Sequence, residues 1–156
     1  MINRYLTLSA RIKQEMSEIH SSVERAKAAW EKAYSQSDSL LLDSAALNLH
    51  DFYGGLERLF QLIAENMDGT IPTGASWHQE LLRQMTADIP KIRPAVIDVD
   101  LRSKLDDYRA FRHIVRNVYA HNFIPEKMKP LVDNLDDVYS KIEEKLKSFC
   151  TFLESI

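Results

Sequence analysis

Little in this sequence favours disulfides, loops or membranes. One cysteine, Cys150, stands among 156 residues, which excludes an internal disulfide framework and fits a reducing compartment, so the expected location is the cytoplasm. Four glycines and five prolines are too few for a β protein with many tight turns or for a disordered chain. No stretch approaches the ~20 consecutive apolar residues that a bilayer demands, and the opening MINRYLTLSARIKQEMSE lacks the apolar core of an export signal; no membrane association is expected. Excess positive charge is missing too. At a net charge of −3 the chain has no global attraction to nucleic acid, so any RNA contact must come from a local basic surface. There is no glycine-rich phosphate loop and no G-x-S-x-G elbow. Neither Cys150 nor His20 has the His or Cys companions of a zinc site. Neither a metal site nor a cofactor is expected.

What is present is helical periodicity. Forty-five per cent hydrophobic and 28 per cent charged residues over this length suit one folded domain, expected to span residues 1–156. Tyr5, Leu8, Ile12, Met16, Ile19, Val23, Ala26, Trp30 and Ala33 recur at steps of three and four, the stripe of one long helix. SQSDS at 35–39 breaks it, because Ser and Asp bond free backbone amides at turns and N-caps. A second stripe through Leu42, Leu49, Phe52, Leu56, Leu59 and Ile63 predicts a helix from about Leu40 to Met67, antiparallel to the first. Gly54 and Gly55 interrupt it at about 1 kcal/mol each relative to Ala, which asks for a close helix approach or a kink. After the loop DGTIPTGAS, Ser76 and Gln79 form a capping-box pattern opening the short helix WHQELLRQM, which Pro90 and Pro94 end. A fourth helix is predicted to turn Leu101, Leu105, Tyr108, Phe111, Val115 and Val118 inward and to end near Asn122. Pro125 offers a helix start, and the main C-terminal helix is predicted from about Pro130 to Leu153. The fold class is all-α, an up-and-down helical bundle of about four to five helices.

The segment YRAFRHIVRNVYAHNF, residues 108–123, has no acidic side chain between its ends. Arg109, Arg112 and Arg116 fall on it with His113 and His121. With Phe111 turned to the core, a helical wheel gathers Arg112, Arg116, Arg109, His113 and Asn117 on the opposite side, a basic face able to take a phosphate or simply to meet solvent. Other polar candidates carry plainer readings. His50 and His78 suit hydrogen-bonded structural roles, and Glu57 with Arg58 suits surface or interhelical ion pairs.

The string RNVYAH, Arg116 to His121, resembles the signature of the HEPN ribonucleases, in which Arg, a polar residue that is usually Asn, and then His follow one another. LNLHDFYGGLERLFQLIA at 47–64, WHQELLRQM at 77–85 and the C-terminal amphipathic helix resemble the HepT-type toxins in content and order. This resemblance covers most of the chain from about Leu40 onward. It implies a helical bundle, a homodimer with the active site in the cleft between subunits, metal-free RNA cleavage, and a nucleotidyltransferase-type antitoxin as partner.

The residues suit that chemistry. RNA carries its own nucleophile in the 2′-hydroxyl, so cleavage needs a group to move protons and a cation to stabilise charge building on phosphorus. His121 is the expected base or acid, Arg116 the phosphate holder, and Asn117 the group that orients phosphate or imidazole; Arg109, Arg112 and His113 would bind RNA. Residues five apart on an intact helix point about 140° from each other. Arg116 and His121 therefore converge only if the helix unwinds before His121 or if two subunits build the site, and the second option agrees with the family. Many HepT toxins carry a tyrosine two residues after the His, to which the antitoxin attaches AMP. Phe123 stands there, which leaves occlusion by a partner or modification elsewhere, such as at Tyr119. A reading of a different class remains open: a non-catalytic helical module that docks on a small nucleotidyltransferase.

Overall fold

The computed structural model describes residues 2–156, with side chains from residue 3 onward. Residue 1, where the expected domain starts, lies outside the described residues. Among the described residues six α-helices follow one another: α1 (Ile2–Gln36), α2 (Ser39–Ile63), α3 (Trp77–Met85), α4 (Val99–Asn117), α5 (Pro125–Asp133) and α6 (Leu135–Ser155). The all-α expectation holds.

The four long helices form the frame. α1 and α2 are joined across Ser37, at φ +50°, and Asp38, whose carboxylate accepts from the Leu40 amide at 2.9 Å. They run antiparallel, since Arg4 near the start of α1 donates to the Asn66 carbonyl beyond the end of α2. α6 is antiparallel to α1, with Lys13 on Glu154 at 2.7 Å near one end and Lys27 on Asp136 at 2.9 Å near the other. α4 is antiparallel to α6 by the pairs Lys145–Asp98 and Lys104–Asp137. α4 also packs on α2, where the rings of Tyr108 and Phe52 meet edge to face at 5.2 Å. One hydrophobic cluster fills the space between these helices, with Ile12, Leu49, Phe52, Leu56, Phe60, Leu105 and Ile142 wholly buried. Most residues of the stripes read from the sequence belong to it, while Tyr5, Met16, Leu42 and Val115 pack against its edge and Val118, expected inward, is exposed where the chain leaves the helix. No helix among the described residues is long and apolar enough to cross a membrane.

The two glycines of α2 mark close approaches. A Cβ on Gly55 would lie 2.7 Å from Ile19 Cγ1 of α1, whereas one on Gly54 would lie 3.4 Å from Arg112 Nε of α4. Overpacking costs about 1–3 kcal/mol, generally more than the roughly 1 kcal/mol that Ala gains over Gly in a helix. Gly55→Ala is therefore expected to unfold at a lower urea concentration than Gly54→Ala, and equal midpoints would count against this account.

Several boundaries differ from the sequence reading. The end of α2 relaxes into a π-helical turn, Ala64–Asp68, stopped by Gly69 at φ +72°. α3 covers the predicted WHQELLRQM, but the Ser76 side chain makes no cap bond. The chain enters instead through a backbone turn at Gly74, φ +95°, with the Trp77 amide on the Gly74 carbonyl. α3 also stops at Met85, before either proline. α4 starts inside IDVD, because Asp98 caps it by accepting from the Leu101 amide at 2.7 Å, a bond that holds this carboxyl below the usual carboxylate range.

Two differences lie near the C-terminal half of the chain. α4 ends at Asn117 rather than near Asn122. Val118, β-branched, takes extended backbone at φ −125°, and one 3₁₀ turn, Ala120–Asn122, follows. Pro130 lies inside α5 rather than opening the last helix. Its missing amide removes one bond from a short helix anchored by buried Met128 and Val132, and the break falls at Asn134, whose side chain takes the Pro130 carbonyl at 2.7 Å.

Candidate nucleic-acid site

The basic face of α4 is not an even field of solvated arginines. Arg109, Arg112, His113, Arg116 and Asn117 from α4 and His78 from the first turn of α3 line one cavity of about 350 Å³. The three guanidiniums differ in what already holds them. Arg109 donates through Nε to Asp106 at 2.6 Å, a bond that strengthens its hold on its proton. Arg112 donates through Nη1 to Glu57 Oε1 at 3.1 Å. Its Nε is buried without a partner, over the backbone of Gly54. Arg116, in the last turn of α4, is exposed and pairs with no carboxylate among the described residues. Its charge complements the helix C-terminus and is the one of the three left free to neutralise a bound anion.

Glu57 organises the wall behind them. Its side chain is 5% exposed, and its second oxygen, Oε2, lies 2.7 Å from His78 Nδ1. This buried carboxylate thus joins α2, α3 and α4 through two cationic or proton-bearing partners. Glu57 fits the interhelical ion-pair reading, but the His78 contact gives no sign in the sequence, where the two residues stand twenty-one apart. Helical phase marks Glu57 as inward-facing beside Leu56 and Leu59, the only available hint that its charge needed partners.

The signature residues divide between two places. Asn117 donates to the His113 carbonyl at 2.7 Å and its amide nitrogen lies 3.4 Å from His113 Nδ1. Within the chain it lies against the His113 imidazole rather than that of His121. His121 sits in the 3₁₀ turn, exposed, and does not line the cavity; its ring stacks on Tyr119 at 5.6 Å and 13°. The helix does unwind before His121, yet the turn does not bring His121 onto the wall of the cavity that Arg116 lines. Tyr119 is 77% exposed. Phe123 is half-buried and packs toward Phe111 at 6.3 Å, so the position at which the resemblance implies a tyrosine serves the core here.

Elsewhere, a larger groove of about 580 Å³ between α1 and α6 has apolar walls at Ile12, Met16 and Leu146, and its Lys13 and Glu154 neutralise each other. His50 pairs loosely with adjacent Asp51 at 3.3 Å. No group of three or more His, Cys, Asp or Glu side chains among the described residues is placed to hold a metal ion.

A family model described as HepT-like protein matches residues 44–153. The match takes in Glu57, His78 and the whole of 108–123, and leaves out α1. No curated protein and no solved structure matches the chain.

Proposed function

This chain belongs to the HepT-like protein family, and from that premise we propose that it is the toxin of a toxin–antitoxin pair, an endoribonuclease that cuts RNA without a metal ion. The observation that carries this reading is the convergence of Arg109, Arg112 and Arg116 with imidazole groups on one small cavity, in a protein whose net charge is negative. One unpaired guanidinium, Arg116, flanked by two carboxylate-held arginines that keep further donors, suits a single phosphodiester in an otherwise acidic protein better than a general affinity for polyanions.

In the proposed reaction Arg116 grips the non-bridging oxygens of the scissile phosphate through its planar fork, and Arg109 and Arg112 hold the strand beside it. His121 moves a proton at the reacting oxygens. The 2′-oxygen bonds to phosphorus as the bond to the 5′-oxygen breaks, leaving a 2′,3′-cyclic phosphate and a 5′-hydroxyl. Because His121 lies outside its own chain's cavity, the reading places it at the cavity of a second copy. Support comes from exposed apolar side chains beside the turn, Ile114, Val118, Tyr119 and Ile124, which suit burial against a twofold mate. The cognate nucleotidyltransferase-type antitoxin would silence the enzyme by covering this region or by modifying the exposed Tyr119.

The test is incubation of wild type, Arg116→Ala and His121→Ala with total RNA in excess EDTA, followed by end-group analysis. Cleavage by wild type alone, leaving cyclic phosphate ends, is the expected result. Intact RNA in every lane, from folded protein, would replace this reading with the non-catalytic module that docks on a nucleotidyltransferase.

A further inference from the structure

The cavity contains an imidazole that the signature does not include. His78 is held on two sides: Nδ1 lies 2.7 Å from Glu57 Oε2, and the Trp77 ring stacks on it at 3.6 Å and 30°. Its side chain is still 27% exposed, on the wall it shares with Arg109, Arg112 and Arg116. With Nδ1 donating to the carboxylate, Nε2 is the ring nitrogen left for a ligand. Glu57 in turn is anchored by Arg112, so the ring's orientation is tied to the same arginine that lines the cavity. A carboxylate behind an imidazole whose other nitrogen faces a bound group is a recurrent way to present a proton-transfer residue.

Cleavage by the 2′-hydroxyl requires two proton transfers at opposite sides of phosphorus, one from O2′ and one to O5′, because attacking and leaving oxygens lie roughly in line. His121 accounts for one. We propose that His78, oriented by Glu57, is the second proton-transfer residue of the site. This inference rests on the ribonuclease reading. As the O2′–P bond forms and the P–O5′ bond breaks, one imidazole takes the 2′-hydroxyl proton and the other delivers a proton to the 5′-oxygen. The protons balance with no further reactant. Glu57 is a positioning residue: it touches no substrate and acts through the ring.

The experiment is the pH dependence of kcat/KM for wild type, His78→Asn and His78→Gln on an RNA oligonucleotide in EDTA. The asparagine amide nitrogen stands close to where Nδ1 stood and keeps a donor on buried Glu57, so the fold is preserved, but neither amide carries a transferable proton. Wild type is expected to show a bell-shaped profile. His78→Asn should lose one limb of the bell, with kcat/KM lower by about 10²–10⁴ at the optimum. A uniform loss that leaves both limbs in place, or no loss at all, overturns the role of His78 and leaves the nuclease reading intact. Absence of cleavage by wild type overturns both.

Discussion

Arg93→Ala is expected to lower the free energy of unfolding by about 3–5 kcal/mol, the cost of breaking a buried ion pair from one side. Arg93 is fully buried and Asp68 is 3% exposed. The guanidinium spends all five donors: Nε and Nη2 on the two oxygens of Asp68 at 2.7 and 2.8 Å, Nη1 on the carbonyls of Ala87 and Pro94, and Nη2 also on that of Gln84. Gln84 donates to Asp68 as well, at 2.7 Å. Truncation would leave the Asp68 carboxylate with Gln84 as its remaining side-chain partner and strip the carbonyls of Ala87 and Pro94 of their donor. The pair matters because of what it joins. Asp68 closes the π-helical turn after α2, and its partners belong to α3 and the segment after it, so this clamp holds α3, and with it His78, against the bundle. Urea denaturation of Arg93→Ala, beside a double variant in which Arg93→Met and Asp68→Leu remove both charges, checks the claim. The double variant should be less damaged than the single one. A single variant within about 0.5 kcal/mol of wild type would refute it.

Arg116→Ala is expected to act in the opposite way, leaving stability nearly unchanged and removing cleavage. Arg116 is exposed and has no carboxylate partner among the described residues, so folding loses only its interaction with the C-terminus of α4, about 0.3–1 kcal/mol. At the reacting phosphate, removal of one well-placed donor typically costs about 10²–10³ in rate. Arg116→Lys should recover only part of this loss, since an ammonium keeps the charge but not the planar fork that engages two phosphate oxygens together. Single-turnover cleavage and thermal melts of the three proteins measure both quantities. An Arg116→Ala protein that melts normally and cleaves at the wild-type rate would remove Arg116 from the mechanism.

Legibility in the sequence followed the range of the interaction. The stripe from Leu8 to Trp30, the break at Ser37 and Asp38, and the capped start of the second helix depend on residues within a turn or two of one another, and the structure reproduces them. The Arg-rich face of α4 follows from phase alone once Phe111 is turned inward. What periodicity misjudged lies where local preferences compete. RNVYAH continues the apolar pattern through Val118, yet the chain leaves the helix there, and Pro130 reads as a boundary although buried neighbours on both sides carry α5 through it.

The sequence by itself determined the helical class, the order of the long helices and the basic segment at 108–123, because hydrophobic phase and capping chemistry act over a few residues. Only the tertiary structure decided which arginines are already neutralised, that Glu57 joins His78 to Arg112, that Asp68 and Arg93 lock α3 in place, and that His121 stands outside its own chain's cavity. Each of these pairs groups distant in sequence. A buried charge takes whichever partner the packing of helices brings within about 3 Å, and no spacing along the chain encodes that distance.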